Sequence, residues 1–271
     1  MTIRVRTLAS GSSGNASFVR MGQARLLIDA GISYPRICAG LLSMGESVEE
    51  LTALLITHEH TDHISGVEAL LEHHPNLPIY ATAGTFEGCR SSAAAQIVVA
   101  GQAFRLGDVE VVPFRVSHDA REPVGFRFEV PGFALGFVTD LGVATREVLA
   151  CLKGCQVLVV EANYDTQTLQ WSRYPAFLKK RIAGRGGHLS NDQAGELLKR
   201  VAGPTLEQVI LGHLSEENNT PERAIAVVRA ALGGQKSVRV IAADRNEPGP
   251  VLSFQPRALA APLPQQGILP F

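Results

Sequence analysis

The chain of 271 residues has no long apolar run: its charge-free stretches, such as residues 91–104, fall short of the roughly 18–20 apolar residues that span a bilayer. No membrane helix is expected. The opening Met1-Thr2-Ile3-Arg4-Val5-Arg6 carries charges where a secretory leader needs its apolar core, so the protein is expected in the cytoplasm. Cysteine is scarce. Cys38, Cys89, Cys151 and Cys155 form no CxxC pair and no disulfide framework, and are expected to be reduced and mostly buried, with Cys151 and Cys155 spaced so that a helix would put them on one face and read as core packing near a helix end. Neither sign of charge is in excess: 25 Lys and Arg against 26 Asp and Glu give a net charge of −1. This excludes a protein that grips nucleic acid over its whole surface and leaves only local phosphate recognition. What remains, 45% hydrophobic residues, is ample for a buried core.

The organisation is read from periodicity and turn residues. Strands are predicted at residues 3–8, 17–21 and 25–29, separated by Ser10-Gly11-Ser12-Ser13-Gly14-Asn15 and by Gly22. A helical pattern through Ile37, Leu41 and Leu42 leads to a buried strand over 51–57. A helix over 64–73 stops before Pro75, 79–81 is a strand, and 83–94 is a helix of small residues. Strands return at 109–116, 124–130 and 133–139, with Pro131-Gly132 as a turn. Beyond them, 143–152, 175–182, 191–201 and 221–232 read as helices, and 157–160, 208–211 and 238–241 as strands. Strands clustered in each half, followed by amphipathic helices, predict an α/β protein with two stacked sheets covered outside by helices, a four-layer α/β/β/α sandwich. No hydrophilic linker divides residues 1–254. The proline-rich residues 255–271 read as a tail, loosely draped or docked on another subunit of a homo-oligomer.

The chemistry concentrates in Thr57-His58-Glu59-His60-Thr61-Asp62-His63, placed just after a buried strand and before a helix. In an extended segment His58 and His60 point to one side, and Asp62 and His63 begin a helical turn beside them. Such a loop serves two adjacent cations if further ligands arrive from elsewhere. His118, Asp140 and His213 each follow an apolar strand, which fits a ligand set gathered on one rim of the stacked sheets. Asp29 ends another strand and is expected to hold the loop by accepting hydrogen bonds from backbone N–H groups, not to ligate. His73 and His74, beside Pro75, read as solvated or capping residues.

The HxHxDH loop followed by Ile64-Ser65-Gly66, with His118, Asp140 and His213 in that order, resembles the metallo-β-lactamase fold superfamily over about residues 3–254. Residues 8–16, Gly187-His188-Leu189-Ser190-Asn191, and Leu211-Gly212-His213-Leu214-Ser215 with Asn218-Asn219 resemble its YycJ (WalJ) branch, described as metal-dependent nucleases or phosphodiesterases. The resemblance implies His58, His60 and His118 on one metal, Asp62, His63 and His213 on the other, and Asp140 bridging them. The donors are imidazoles and carboxylates, compatible with Zn²⁺, which is preferred, or with Mn²⁺ or Fe.

Two such cations share a water, lower its pKa toward 7 and present a bridging hydroxide as nucleophile, with Asp62 or Asp140 orienting it or taking its proton. The resemblance also implies that His188 donates a proton or hydrogen bond to a phosphoryl oxygen or leaving group; Glu161 and Asn163, at the end of the strand over 157–160, are read as partners of that ring. The cations Lys179, Lys180, Arg181 and Arg185 precede Gly186-Gly187-His188. Lys179 and Lys180 read equally as a solvated helix face, whereas Arg185 is assigned to substrate, with Gly186-Gly187 letting the backbone approach a ligand. Ser12, Ser13 and Asn15 either line the pocket or form a tight turn. The expected function is phosphodiester hydrolysis in a nucleic acid or a small phosphodiester. The alternatives are a thioesterase or lactone hydrolase similar to glyoxalase II and an iron-dependent persulfide dioxygenase. A scaffold that only binds metal or DNA is disfavoured, because structural metal sites are normally closed four-ligand sites.

Overall fold

A computed structural model describes residues 1–89, 95–233 and 237–257. In one sheet, β1 (Ile3–Ala9), β2 (Ala16–Met21) and β3 (Ala24–Ile28) form an antiparallel meander. From β3 onward β4 (Ala53–Leu55), β5 (Ile79–Ala81) and β6 (Ala95–Ile97) run parallel. The other sheet repeats the plan. β7 (Phe104–Leu106), β8 (Val109–Arg115), β9 (Val124–Val130) and β10 (Phe133–Val138) are antiparallel, and β11 (Val157–Glu161), β12 (Gln208–Gly212) and β13 (Arg239–Ala242) continue parallel to β10. β14 (Leu252–Phe254) returns to pair with β1, Ile3 lying opposite Phe254.

Strand alternation decides the layering, because successive side chains leave a strand on opposite faces. Leu26 and Ile28 of β3 and Leu55 of β4 meet Phe126, Leu135 and Val157 of the second sheet. The intervening Leu27 and Leu54 pack instead on Ile37 and Leu41 of α1 (Tyr34–Leu42) and on Val67 and Leu70, one short helix further along the chain. In the second sheet Leu158, Val160 and Leu211 turn outward onto Leu152, Leu198 and Val228. Three apolar layers therefore separate four layers of secondary structure, which is the expected α/β/β/α sandwich. Among the described residues no helix is long and apolar enough to cross a membrane.

Several elements differ from expectation. The helix expected over 64–73 is two, α2 (Thr61–Ile64) and α3 (Val67–His73). Gly66 separates them because its N–H donates to Ala30 O at 2.7 Å, drawing the chain against the end of β3. α4 (Ala83–Cys89) covers the start of the helix expected over 83–94, and residues 90–94 lie outside the described residues. So do residues 258–271 of the expected tail. In the second half, α5 (Arg146–Leu152), α6 (Thr166–Trp171), α7 (Ala176–Ile182), α8 (Asn191–Val201) and α9 (Pro221–Leu232) follow, of which α6 was not expected. The four cysteines are free, but only Cys155 is fully buried. It lies beyond the end of α5, not on a helix face with Cys151, where burial pushes its thiol up to about 12.

Candidate metal centre

The site lies where β3, β4, β10, β11 and β12 end. Asp29, directly after β3, is buried and accepts from Thr57 N at 2.8 Å and from the Thr57 hydroxyl at 2.9 Å. It also holds His63 Nδ1 at 2.8 Å. The carboxylate thus fixes the start of the histidine-rich loop and orients one of its rings. From the other side Asn15 braces the same loop: its backbone N–H donates to Asp62 O at 2.7 Å and its amide nitrogen lies 3.2 Å from Asp62 Oδ2. Gly31 allows this close packing, since a Cβ there would sit 1.7 Å from Asp62 O.

The structure gathers all seven residues of the expected ligand set. Donor atoms of His58, His60 and His118 lie within 4.8 Å of one another, as do those of Asp62, His63 and His213. Asp140 joins His58 and His63 in a third such group. His118 Nε2 is 3.2 Å from His60 Nδ1, His213 Nε2 is 3.4 Å from Asp62 Oδ2, and Asp140 Oδ2 is 3.1 Å from His63 Nε2. These separations approach the edge of a tetrahedron built on metal–ligand bonds of about 2.0–2.1 Å, roughly 3.3 Å.

Each ring except that of His60 has its other nitrogen engaged. His58 Nδ1 is 3.0 Å from the Thr57 hydroxyl, His118 Nδ1 is 3.2 Å from Gly187 O, and His213 Nδ1 is 2.9 Å from Glu161 Oε1. With the Nδ1–H groups donating there, the Nε2 lone pairs face the cluster, as in metal-binding histidines held by carboxylates and carbonyls. Burial, and then neighbouring imidazoles, hold His58 well below the ordinary histidine value, and burial lowers His118 too, so both keep a free lone pair at neutral pH. His58 Nε2 and Asp140 Oδ2 are buried and have no hydrogen-bond partner among the described residues. Leaving such atoms unpaired costs about 1–3 kcal/mol each, which a cation held between them offsets. The donor set therefore fits divalent metal.

Three non-glycine residues among those described have positive φ: Asp29 at 58°, Asp140 at 56° and His213 at 55°. All three follow strand ends at this cluster. Such backbone costs about 1–3 kcal/mol per residue and persists only where surrounding contacts over-determine it. Here Ser10 Oγ accepts from His213 N at 2.8 Å and Asn163 donates to His213 O at 2.8 Å.

Beside the two triads stands His188, with a side chain 20% exposed, which shares a fourth such group with Asp140, Glu161 and His213. Its Nδ1 lies 2.7 Å from Glu161 Oε1, the oxygen that also holds His213. Glu161 Oε2 accepts from the backbone of Leu141 and Leu189 at 2.9 and 3.0 Å. Burial would push the Glu161 carboxyl up, but the two histidines outweigh it and hold it at about 2. Asn163, expected to partner His188, bonds to His213 instead.

A cleft opens over the cluster, lined by Ser12, His60, Asp62, His118, His188 and His213 and walled by Tyr174, Leu178, Arg181 and Ile182. Of the residues expected to meet substrate, Ser12 lines it, Ser13 is exposed outside that lining, and buried Asn15 is spent on bracing Asp62. Arg185 is exposed and does not line the cleft. The cation that does is Arg181, paired with Asp119 at 2.7 Å. Its sequence signal was its place on the apolar face of α7, four residues before Arg185. Gly187 does line the cleft, but its close approach is to α7: a Cβ would lie 2.2 Å from Arg181 O. Lys179 donates to Gln170 O at 2.7 Å, away from the metal cluster. His73 and His74 pack against Tyr34 and do not line the cleft.

Two seven-stranded sheets with a histidine-rich loop on their shared rim define a metallo-β-lactamase fold protein, and the β-lactamase superfamily domain profile matches residues 24–214. The chain belongs to this superfamily and, within it, to the WalJ/YycJ branch. It is 35% identical over 225 residues to the exodeoxyribonuclease WalJ of Streptococcus pneumoniae serotype 2 (strain D39), covering 80% of this chain and 83% of that protein. It is 34% identical over 238 residues to the exodeoxyribonuclease YycJ of Bacillus anthracis, covering 86% and 90%. Among solved structures, the metallo-β-lactamase fold protein YhfI from Bacillus subtilis superposes with a TM-score of 0.71 at 15% identity, over 93% of this chain and 99% of that one.

Proposed function

We propose that the chain is a two-metal phosphodiesterase that cuts DNA or another nucleic acid inside the cell. His58, His60 and His118 would hold one divalent cation, Asp62, His63 and His213 the other, with Asp140 between them. Zn²⁺ suits the donors best, and Mn²⁺ or Fe is also compatible with imidazole and carboxylate. Bound there, the pair supplies Lewis acidity toward phosphoryl oxygens and water of lowered pKa. The chain's own groups do the rest. Asp62 or Asp140 would orient the attacking water and accept its proton, and His188, steadied through Nδ1 by Glu161, would present Nε2 to protonate the leaving oxygen.

The observation that carries this reading is the arrangement of two donor triads beside a histidine that belongs to neither. A structural metal site needs no such extra ring and normally closes at four ligands. The names of the two relatives, both exodeoxyribonucleases, support a nucleic-acid substrate. Metal analysis coupled to nuclease and thioesterase assays on one preparation tests it. Close to two ions per chain with cleavage of DNA and of bis(p-nitrophenyl) phosphate is the expected result. Thioester cleavage without diester cleavage would replace this reading with a glyoxalase II-like one.

A further inference from the structure

Two asparagines stand just behind the cluster. Asn191 and Asn219 do not line the cleft, yet they are only 0% and 8% exposed. Burying an amide is costly unless its groups are paired, and here each amide answers the other. Asn191 Nδ2 donates to Asn219 Oδ1 at 2.9 Å, and Asn219 Nδ2 donates to Asn191 Oδ1 at 2.8 Å. Backbone groups fix which way the pair faces. Asn219 Nδ2 also points at Ala162 O and Asn163 O, at 2.9 and 3.2 Å, while its Oδ1 accepts from Thr220 N at 3.0 Å. A flipped amide would set its NH₂ against the Thr220 N–H and its oxygen against two carbonyls.

The pair joins the two segments whose rings share Glu161. Beyond β11 the chain continues as a strip, residues 162–164, with a neighbour on either side. On one side Asn163 N donates to Leu189 O at 2.9 Å and Asn191 N to Tyr164 O at 2.8 Å. On the other, Ala162 N donates to Gly212 O at 3.1 Å and Ser215 N to Asn163 O at 2.8 Å. His188 heads the first flank and His213 lies in the second, their ring centroids 5.1 Å apart. Asn191 closes the first flank as the opening residue of α8, and Asn219 closes the second, beside the Thr220 cap of α9. The amides therefore clamp one flank to the other across the strip. Glu161 cannot do this alone, because its Oε1 is a single acceptor about which both rings can pivot.

We infer that the Asn191–Asn219 amide pair is a positioning device for His188, fixing its segment against that of His213 and so setting where its Nε2 stands over the metal ligands. This rests on the phosphodiesterase reading, in which His188 protonates the leaving oxygen. Reacting groups displaced by about 1 Å lose on the order of 10²-fold in rate, so a clamp remote from the chemistry has a large effect. An aliphatic side chain at either position supplies neither the donor nor the acceptor that its partner needs.

Hydrolysis of bis(p-nitrophenyl) phosphate by the full-length, metal-loaded protein tests the inference in a double-mutant cycle of Asn191→Ala with His188→Ala. Alone, Asn191→Ala should lower kcat about 10–100-fold with KM and metal content near wild type. Added to His188→Ala, it should lower kcat further by less than about threefold, because the ring it positions is already gone. Asn219→Ala should repeat the pattern, and it carries the cycle should Asn191→Ala not fold. A structural role alone would lower Tm and kcat alike in both backgrounds. Equal losses of kcat in both backgrounds, or no loss in either asparagine variant, overturn the inference while diester cleavage leaves the site's reading intact. A fall in metal content that matches the fall in kcat assigns the pair to the ligand His213 and overturns it as well. No diester cleavage by the unmutated protein, or a wild-type rate in His188→Ala, removes the inference with the reading beneath it.

Discussion

Glu161 is where single atoms decide the most. Its two oxygens each serve two donors: Oε1 faces His188 and His213, and Oε2 faces the N–H groups of Leu141 and Leu189. In Glu161→Gln the amide can accept on one side only, so its NH₂ must confront two donors whichever way it turns. We expect metal affinity to fall about 10–100-fold, as for other residues that orient ligands, and turnover to fall with it. Competition with a chromogenic chelator measures the first, and an unchanged affinity would mean that the histidines orient themselves. His188→Ala should separate from this. Having no place in either triad, it should lower kcat on a simple diester by about 10²–10⁴ with metal content near wild type. Depletion of metal in that variant would make His188 a ligand. The contiguous His58-to-His63 loop was legible because its residues lie close in sequence. The shared carboxylate of Glu161 was not, because its partners stand at positions 188 and 213 and only folding shows that one oxygen serves both.

At the scale of elements, close backbone packing and one buried ion cluster carry testable consequences. Gly31→Ala places a methyl against Asp62 O and must push the loop away from the end of β3. Reduced metal content together with a lowered Tm is expected, and a variant with normal metal loading would separate the loop's position from its ligation. Glu46, 2% exposed, binds Arg4 at 2.7 Å, Arg20 at 2.9 Å and Arg25 at 3.1 Å, one from each strand of the β1–β3 meander. Burial opposes its ionisation, but the three guanidinium groups prevail and hold it below the ordinary glutamate value. A carboxylate depressed on folding stabilises above its unfolded pKa, and that contribution disappears as pH falls through the folded one. Glu46→Gln should therefore lower stability at pH 7, by about 1–3 kcal/mol as for lost hydrogen bonds to a charged group. Urea unfolding should show the gap closing on acidification, and a gap that stays constant to low pH would contradict the assignment. The long strands and helices were legible from periodicity. β6, β7 and β14 were not, and β14 pairs only with the distant β1. For α6 a signal existed: Asp165 caps it, accepting from Thr168 N at 2.8 Å.

The whole molecule sets how much the metals contribute to stability. Its three apolar layers are complete without the site, so the fold does not depend on ligation as a zinc finger's does. Yet the candidate ligands come from both sheets: His58, His60, Asp62 and His63 follow β4, and His118, Asp140 and His213 follow β8, β10 and β12. Without cations the cluster is not left repelling itself. Despite burial, His213 and His63 hold Asp62 and Asp140 well below the ordinary carboxylate range, and those carboxylates with Glu161 carry His213 up to about 10. Chelation should therefore leave the far-ultraviolet circular dichroism intact and lower Tm only moderately. An ion present at a hundred times its Kd adds about 2.7 kcal/mol. In a chain of this size 1 kcal/mol moves Tm by about 2–4 °C, so removal of one such ion should lower it by about 5–10 °C, and added Zn²⁺ should restore it. A Tm unmoved by chelation while activity disappears would place the catalytic ions outside the cluster that joins the two sheets. Unfolding on chelation would mean that the apolar layers do not stand alone.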